Sequence, residues 1–159
     1  MEPVVNASAV GADAFDAVVI DANLALALVL PLPYMRRATE LYDEWMSLRI
    51  PLYVPILWEY EVTSSVRKAV AQSAIDPADA QEALERVLNL SVTRTAPDRD
   101  LDVAALMWAT RLQHIVAYDA QYLALAERLG AVFWTADRKL AAGARAAGAD
   151  WVREIRADD

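Results

Sequence analysis

Three aspartates stand at the same kind of place along the chain. Asp21 follows Ala17-Val18-Val19-Ile20, Asp119 follows Ile115-Val116-Ala117-Tyr118, and Asp137 follows Val132-Phe133-Trp134-Thr135-Ala136. Each of these runs is short and apolar, as a buried strand would be, so each acid is expected where a strand ends. In open parallel sheets the ligand crevice lies outside the carboxyl ends of the strands, and acids far apart in sequence converge there. Crowded carboxylates raise one another's pKa, whereas hard cations with oxygen ligands turn the same crowding into a binding site. The bland alternative is that each aspartate is a helix N-cap, for which Asp is among the best residues, and the two roles are compatible.

A fourth acid comes from the helical pattern that begins after Pro55. Glu61 projects from it, with Ser65 one turn later on the same face, while Glu59 lies two positions away and points elsewhere. Periodicity alone does not choose between them. His114, the sole histidine, opens a short, buried-looking run and reads as structural rather than as a general base. Trp45, Trp58, Trp108, Trp134 and Trp151 read as core, with Trp58 the one candidate for stacking on a base. Arg67 and Lys68 beside Glu61, and Arg138 and Lys139 beside Asp137, suit either phosphate contact or a solvated helix face.

The elements that must position these residues follow from pattern and punctuation. Residues 1–16 lack periodicity and read as a mobile extension ahead of one domain over 17–156. Strands are expected at 17–20, 50–54, 91–95, 114–117, 131–134 and 151–155. Helices are expected at 35–48, from Pro55 to about Gln72, from Asp76-Pro77 to about Leu90, at 99–112, from Asp119 to Gly130, and from Asp137 onward. Strands alternating with helices give an α/β domain with a mainly parallel sheet.

Composition narrows the class. A chain of 159 residues is of single-domain length. Apolar residues make up 57% of it, but charges interrupt them, and no uncharged apolar stretch reaches the ~18 residues of a membrane span. Cysteine is absent, which excludes disulfides and thiolate metal sites, and nothing at the start reads as a signal peptide. A cytoplasmic location is expected. The net charge of -8 argues against a broad cationic surface for nucleic acid, although cations bound at a compact acidic site reverse its local sign.

Taken in order, the segments Val19-Ile20-Asp21-Ala22-Asn23, Val54 through Val62 with Pro55 and Glu61, Ala117-Tyr118-Asp119-Ala120-Gln121-Tyr122 and Trp134-Thr135-Ala136-Asp137 resemble the PIN-domain family. Within it they are similar to the VapC-type toxins of prokaryotic toxin–antitoxin pairs, over about Val18 to Trp151. The resemblance implies a three-layer α/β/α fold on an approximately five-stranded, mainly parallel sheet. It implies Mg²⁺- or Mn²⁺-assisted phosphodiester hydrolysis of RNA, with Asp21, Glu61, Asp119 and Asp137 as metal ligands and Asn23 and Thr135 supporting them. In similar proteins the acid six residues after the proline is the functional one, which favours Glu61 over Glu59. An antitoxin protein and a homodimer, the latter through the helices at 35–48 and 56–72, are the implied partners. Ser64, where many relatives have Asn, the long leading segment and the acidic charge depart from the pattern. The rival reading is a non-catalytic PIN-fold interaction or RNA-binding module. A receiver-like phosphoacceptor is disfavoured because Asp21 has no acidic neighbour, and an Asp-x-Asp phosphatase because position 23 is Asn.

Overall fold

The computed structural model describes residues 15–157, so the expected extension lies outside the described residues except for Phe15 and Asp16. Five strands, β1 (Val18–Ile20), β2 (Leu52–Pro55), β3 (Thr93–Thr95), β4 (Val132–Thr135) and β5 (Val152–Glu154), form one sheet in the order β3-β2-β1-β4-β5. Every pairing is parallel. The helices are α1 (Ala22–Ala27), α2 (Met35–Ser47), α3 (Leu57–Ala71), α4 (Pro77–Leu88), α5 (Arg99–Arg111), α6 (Tyr118–Leu129) and α7 (Arg138–Ala146).

All three residues of β1 are buried, as a central parallel strand covered on both faces requires. α6 packs against β1, β2 and β4, α3 against β2, and α7 against β4 and β5, which gives the α/β/α layering. Successive strands run outward from β1 through β2 to β3, and the chain then returns to β4 on the other side of β1. The order therefore reverses between β1 and β4. A crevice opens at such a switch point, outside the carboxyl ends of the two strands.

Local signals account for several element ends. The Asp98 carboxylate accepts the Leu101 N–H at 2.9 Å and starts α5. Gly130 ends α6 in the left-handed region at φ 59°, where L side chains are strained.

The run 114–117, expected to be a strand, is instead the loop between α5 and α6, which pack on each other as a helical hairpin. Ile115 is fully exposed, so its β-branched side chain is not in a sheet, and His114 is exposed as well. Asp119 accordingly lies in the first turn of α6 rather than at a strand end or an N-cap. Helix α1 was not anticipated. Five of its six residues are buried, so it lacks the amphipathic period that marks a surface helix.

Trp58 is fully buried, its indole N–H finds no partner among the described residues, and the Arg94 guanidinium lies 5.4 Å from its ring centre. It has no free face for a base. The other tryptophans pair within the protein, Trp45 with Trp134 and Trp108 with Trp151. The apolar positions of α2 and α3 that suggested a face for a second copy, such as Leu41, Trp45 and Val62, belong to the core of the chain itself. Exposed large apolar residues occur on α2 at Met35, on α3 at Tyr60, and on α5 at Val103, Leu106 and Met107. No helix among the described residues is long and apolar enough to cross a membrane.

Two glycines give a test of this local reading. A Cβ at Gly130 meets nothing within 4 Å, so Gly130→Ala is expected to lower stability by about 1–2 kcal/mol through backbone conformation alone. Gly143 lies inside α7 and a Cβ there reaches ordinary contact with Leu112, so Gly143→Ala is expected to stabilise by about 0.5–1 kcal/mol. Urea unfolding of both variants checks the opposite signs.

Candidate metal centre

The parallel register sets Ile20 opposite Trp134, which brings the next residues, Asp21 and Thr135, side by side at the switch point. Asp21 is buried, and three donors reach its carboxylate. The Leu24 N–H donates to Oδ1 at 2.7 Å, while the Thr135 hydroxyl at 2.7 Å and the Ala136 N–H at 2.9 Å donate to Oδ2. The same Thr135 hydroxyl oxygen accepts the Asp137 N–H at 2.9 Å. Asp137 in turn caps α7, with Oδ1 accepting the Leu140 N–H at 2.9 Å.

Asp21, Glu61, Asp119 and Asp137 all line one cavity of about 380 Å³, together with Asn23, Ser64, Ser65 and Thr135. Asn23 is exposed there, and Thr135 is fully buried. Glu59 faces away, its carboxylate paired with the Arg94 guanidinium, which also donates to the Leu88 carbonyl at 2.7 Å. The question that periodicity left open is thus settled geometrically in favour of Glu61 facing the crevice. Arg67, Lys68, Arg138 and Lys139 are exposed and none of them lines the cavity.

Tyr122 escaped the sequence reading. It lies three residues after Asp119 on α6, is 2% exposed, stacks on Phe133 of β4 at 5.5 Å, and donates its hydroxyl to the Glu61 carboxylate. The available signal was its place one turn beyond Asp119, on the same helix face.

The electrostatics of the crevice run one way. Burial raises the pKa of Asp21 against its three hydrogen bonds, and the Asp137 charge adds to the rise. Glu61 is raised by burial and then by Asp119 and Asp21, against the lowering effect of Tyr122. Asp119 is raised by burial and by Asp137, with His114 opposing. Nearby phenols respond in the same sense: burial and then Asp21 push Tyr34 up to about 12, and Tyr122 is raised by burial and Glu61. No Lys or Arg lines the cavity to compensate these carboxylates.

Among the described residues no three acids or histidines stand close enough together to hold a metal ion as they are placed. The donor set is nevertheless oxygen-only and anionic, which suits a hard divalent cation. It lacks the thiolate or imidazole ligands of a structural zinc site.

A group whose folded pKa is raised binds its proton more tightly in the folded state. The contribution of Asp119 to metal-free stability is therefore least unfavourable at acid pH and worsens as pH climbs above the ordinary aspartate value of 3.8 toward the raised one. Asp119 accepts no hydrogen bond among the described residues, so Asp119→Asn removes charge without breaking one. The metal-free variant is expected to match wild type in thermal midpoint at low pH and to exceed it at neutral pH. Calorimetric scans across that range check this, and a variant less stable than wild type at neutral pH would contradict it.

Comparison with known proteins agrees with this architecture. Residues 18–146 match the PIN domain model. A VapC ribonuclease of Mycobacterium bovis and the ribonuclease VapC9 of Mycobacterium tuberculosis are each 32% identical over 123 residues, covering 77% of this chain and 87% of theirs. The crystal structure of PAE2754 from Pyrobaculum aerophilum superposes with a TM-score of 0.60 at 30% identity, covering 80% of this chain and 78% of that one. A toxin–antitoxin complex from Klebsiella pneumoniae shares the fold, with a TM-score of 0.59 at 16% identity over 89% of this chain and 100% of that one. With the matched domain spanning most of the sequence, the chain belongs to the PIN-domain family.

Proposed function

We propose that the chain is an endoribonuclease dependent on Mg²⁺ or Mn²⁺, acting in the cytoplasm as the toxin of a toxin–antitoxin pair. The observation that carries this reading is that Asp21, Glu61, Asp119 and Asp137 border one cavity with no basic residue among them, in a PIN-family chain related to ribonucleases. These four side chains would hold the ion. When bound, such an ion supplies charge neutralisation at the scissile phosphate and a more acidic water nucleophile.

The rest of the work falls to the chain's own groups. Thr135 holds Asp21 in one rotamer and fixes the start of α7 behind Asp137. Tyr122, kept protonated by its raised pKa, holds Glu61 by a charge-assisted hydrogen bond. Asn23, exposed at the cavity, would hydrogen-bond water or a phosphate oxygen.

RNA cleavage is expected to need Mg²⁺ or Mn²⁺, to stop in EDTA, and to be lost in Asp21→Asn and Asp119→Asn without unfolding. Thr135→Val, which spares every direct ligand, is expected to lower activity or metal affinity about 10–100-fold. Oligonucleotide cleavage alongside metal titration calorimetry checks these effects. Metal binding without cleavage would favour the rival reading of a non-catalytic interaction module.

The same reading supplies the partners. An antitoxin with a basic terminal segment would lay a guanidinium among the four carboxylates, where a bidentate Arg competes with metal. A second copy of the chain completes the assembly. Light scattering is expected to give a dimer for the free protein and a larger complex after co-expression with the neighbouring gene product. Asp21→Asn with Asp119→Asn is expected to weaken that complex, most visibly at low salt. A monomer, or a complex indifferent to both acids, would overturn these assignments separately.

A further inference from the structure

A second cavity of about 260 Å³ adjoins the acidic crevice, and the two share Leu57, Tyr60 and Tyr118 in their walls. Tyr60 is 70% exposed and Tyr118 62% exposed, although both are large aromatic residues in helices. Behind them the cavity is floored by the buried Leu101 and Leu125. At its polar side the Gln121 amide donates to Asp102 Oδ1 at 3.3 Å. That bond leaves the amide carbonyl and the second carboxylate oxygen as acceptors.

We propose that this cavity is a nucleobase subsite, in which Tyr60 and Tyr118 stack against the base of a nucleotide flanking the scissile bond. The proposal rests on the ribonuclease reading and names what that reading leaves open, the feature of the substrate recognised beyond its phosphate. Three properties favour a base as the occupant. The cavity continues directly from the crevice that would receive the phosphate, as a nucleotide's own connectivity demands. Its rim is aromatic, and single-stranded RNA is commonly held by bases splayed onto tyrosine faces. Its polar side offers acceptors beside the Gln121–Asp102 bond and donors in the second Gln121 N–H and the Thr95 hydroxyl, which complement the mixed donor and acceptor edge of a base. A chain with net charge of -8 and no basic cavity lining gains little from backbone attraction, so stacking becomes the available source of affinity.

Short RNAs carrying an abasic nucleotide at successive positions test this with wild type, Tyr60→Ala, Tyr118→Ala and the corresponding Phe variants. Cleavage in Mg²⁺ and binding in Ca²⁺ are both measured, and metal calorimetry confirms that each variant keeps its crevice. One abasic position is expected to cost wild type about 5–150-fold in binding or kcat/KM. The Ala variants are expected to treat abasic and intact RNA alike, and the Phe variants to recover the discrimination. RNA cleaved with no dependence on any flanking base, or with equal dependence in the Ala variants, overturns the subsite and leaves the nuclease reading standing. Absence of metal-dependent cleavage overturns the nuclease reading, and the binding series then decides the subsite separately. If the Ala variants lose only a co-expressed protein partner, the cavity seats a peptide side chain and the proposal is wrong.

Discussion

Asp21 is only 8% exposed, and a buried charge is tolerated only when its oxygens are hydrogen-bonded. Its three donors come from different parts of the fold: Leu24 in the helix that Asp21 itself caps, the Thr135 side chain at the end of β4, and the backbone at Ala136. One side chain thus starts α1, ties the ends of two neighbouring strands together, and positions its own oxygens at the crevice. Thr135 passes the constraint on, since its oxygen also holds the Asp137 N–H where α7 begins.

Those bonds do not cancel the cost of burial, because Asp21 still has a raised pKa, as do Glu61 and Asp119. The switch point is therefore a place where the fold carries repulsion that the surrounding core must outweigh. That core is dense in apolar side chains, with Val19, Ile20, Val54 and Phe133 fully buried around the strands. Such a local departure from stability is common at functional sites, where it is offset elsewhere in the structure. In the proposed function a divalent cation would relieve it, so the feature that weakens the metal-free protein is the one that would give metal affinity.

Aromatic packing performs a second positioning task on the opposite wall. Phe133 presents a face from β4, Tyr122 stacks on it at an interplanar angle of 15°, and the Tyr122 hydroxyl meets Glu61 on α3. A helix residue with several rotamers is in this way referred to the rigid sheet. Glu59, two residues earlier on α3, is drawn instead to Arg94 of β3. Opposite partners on two sides of one helix separate a crevice acid from a structural ion pair.

Much of the fold was legible in local pattern. Buried runs before Asp21 and Asp137 read as strands and are strands, Gly130 closes α6, and α2 appears close to its expected limits, because period, caps and φ are properties of a few adjacent residues. The same windows misread 114–117, where β-branched Ile115 and Val116 suggested a strand but the packing of α5 on α6 makes a turn, and they missed the short, mostly buried α1. Local pattern nominated Asp21, Asp119 and Asp137 for one crevice but left Glu59 and Glu61 undecided. The bond from Thr135 to Asp21 spans 114 positions and that from Tyr122 to Glu61 spans 61, and both exist only because strand order and helix packing bring their ends together. Sequence alone determined which residues were chemically able to form the site. Tertiary structure decided which of them meet, since burial and long-range partners are properties of the assembled sheet and its helices rather than of any local stretch.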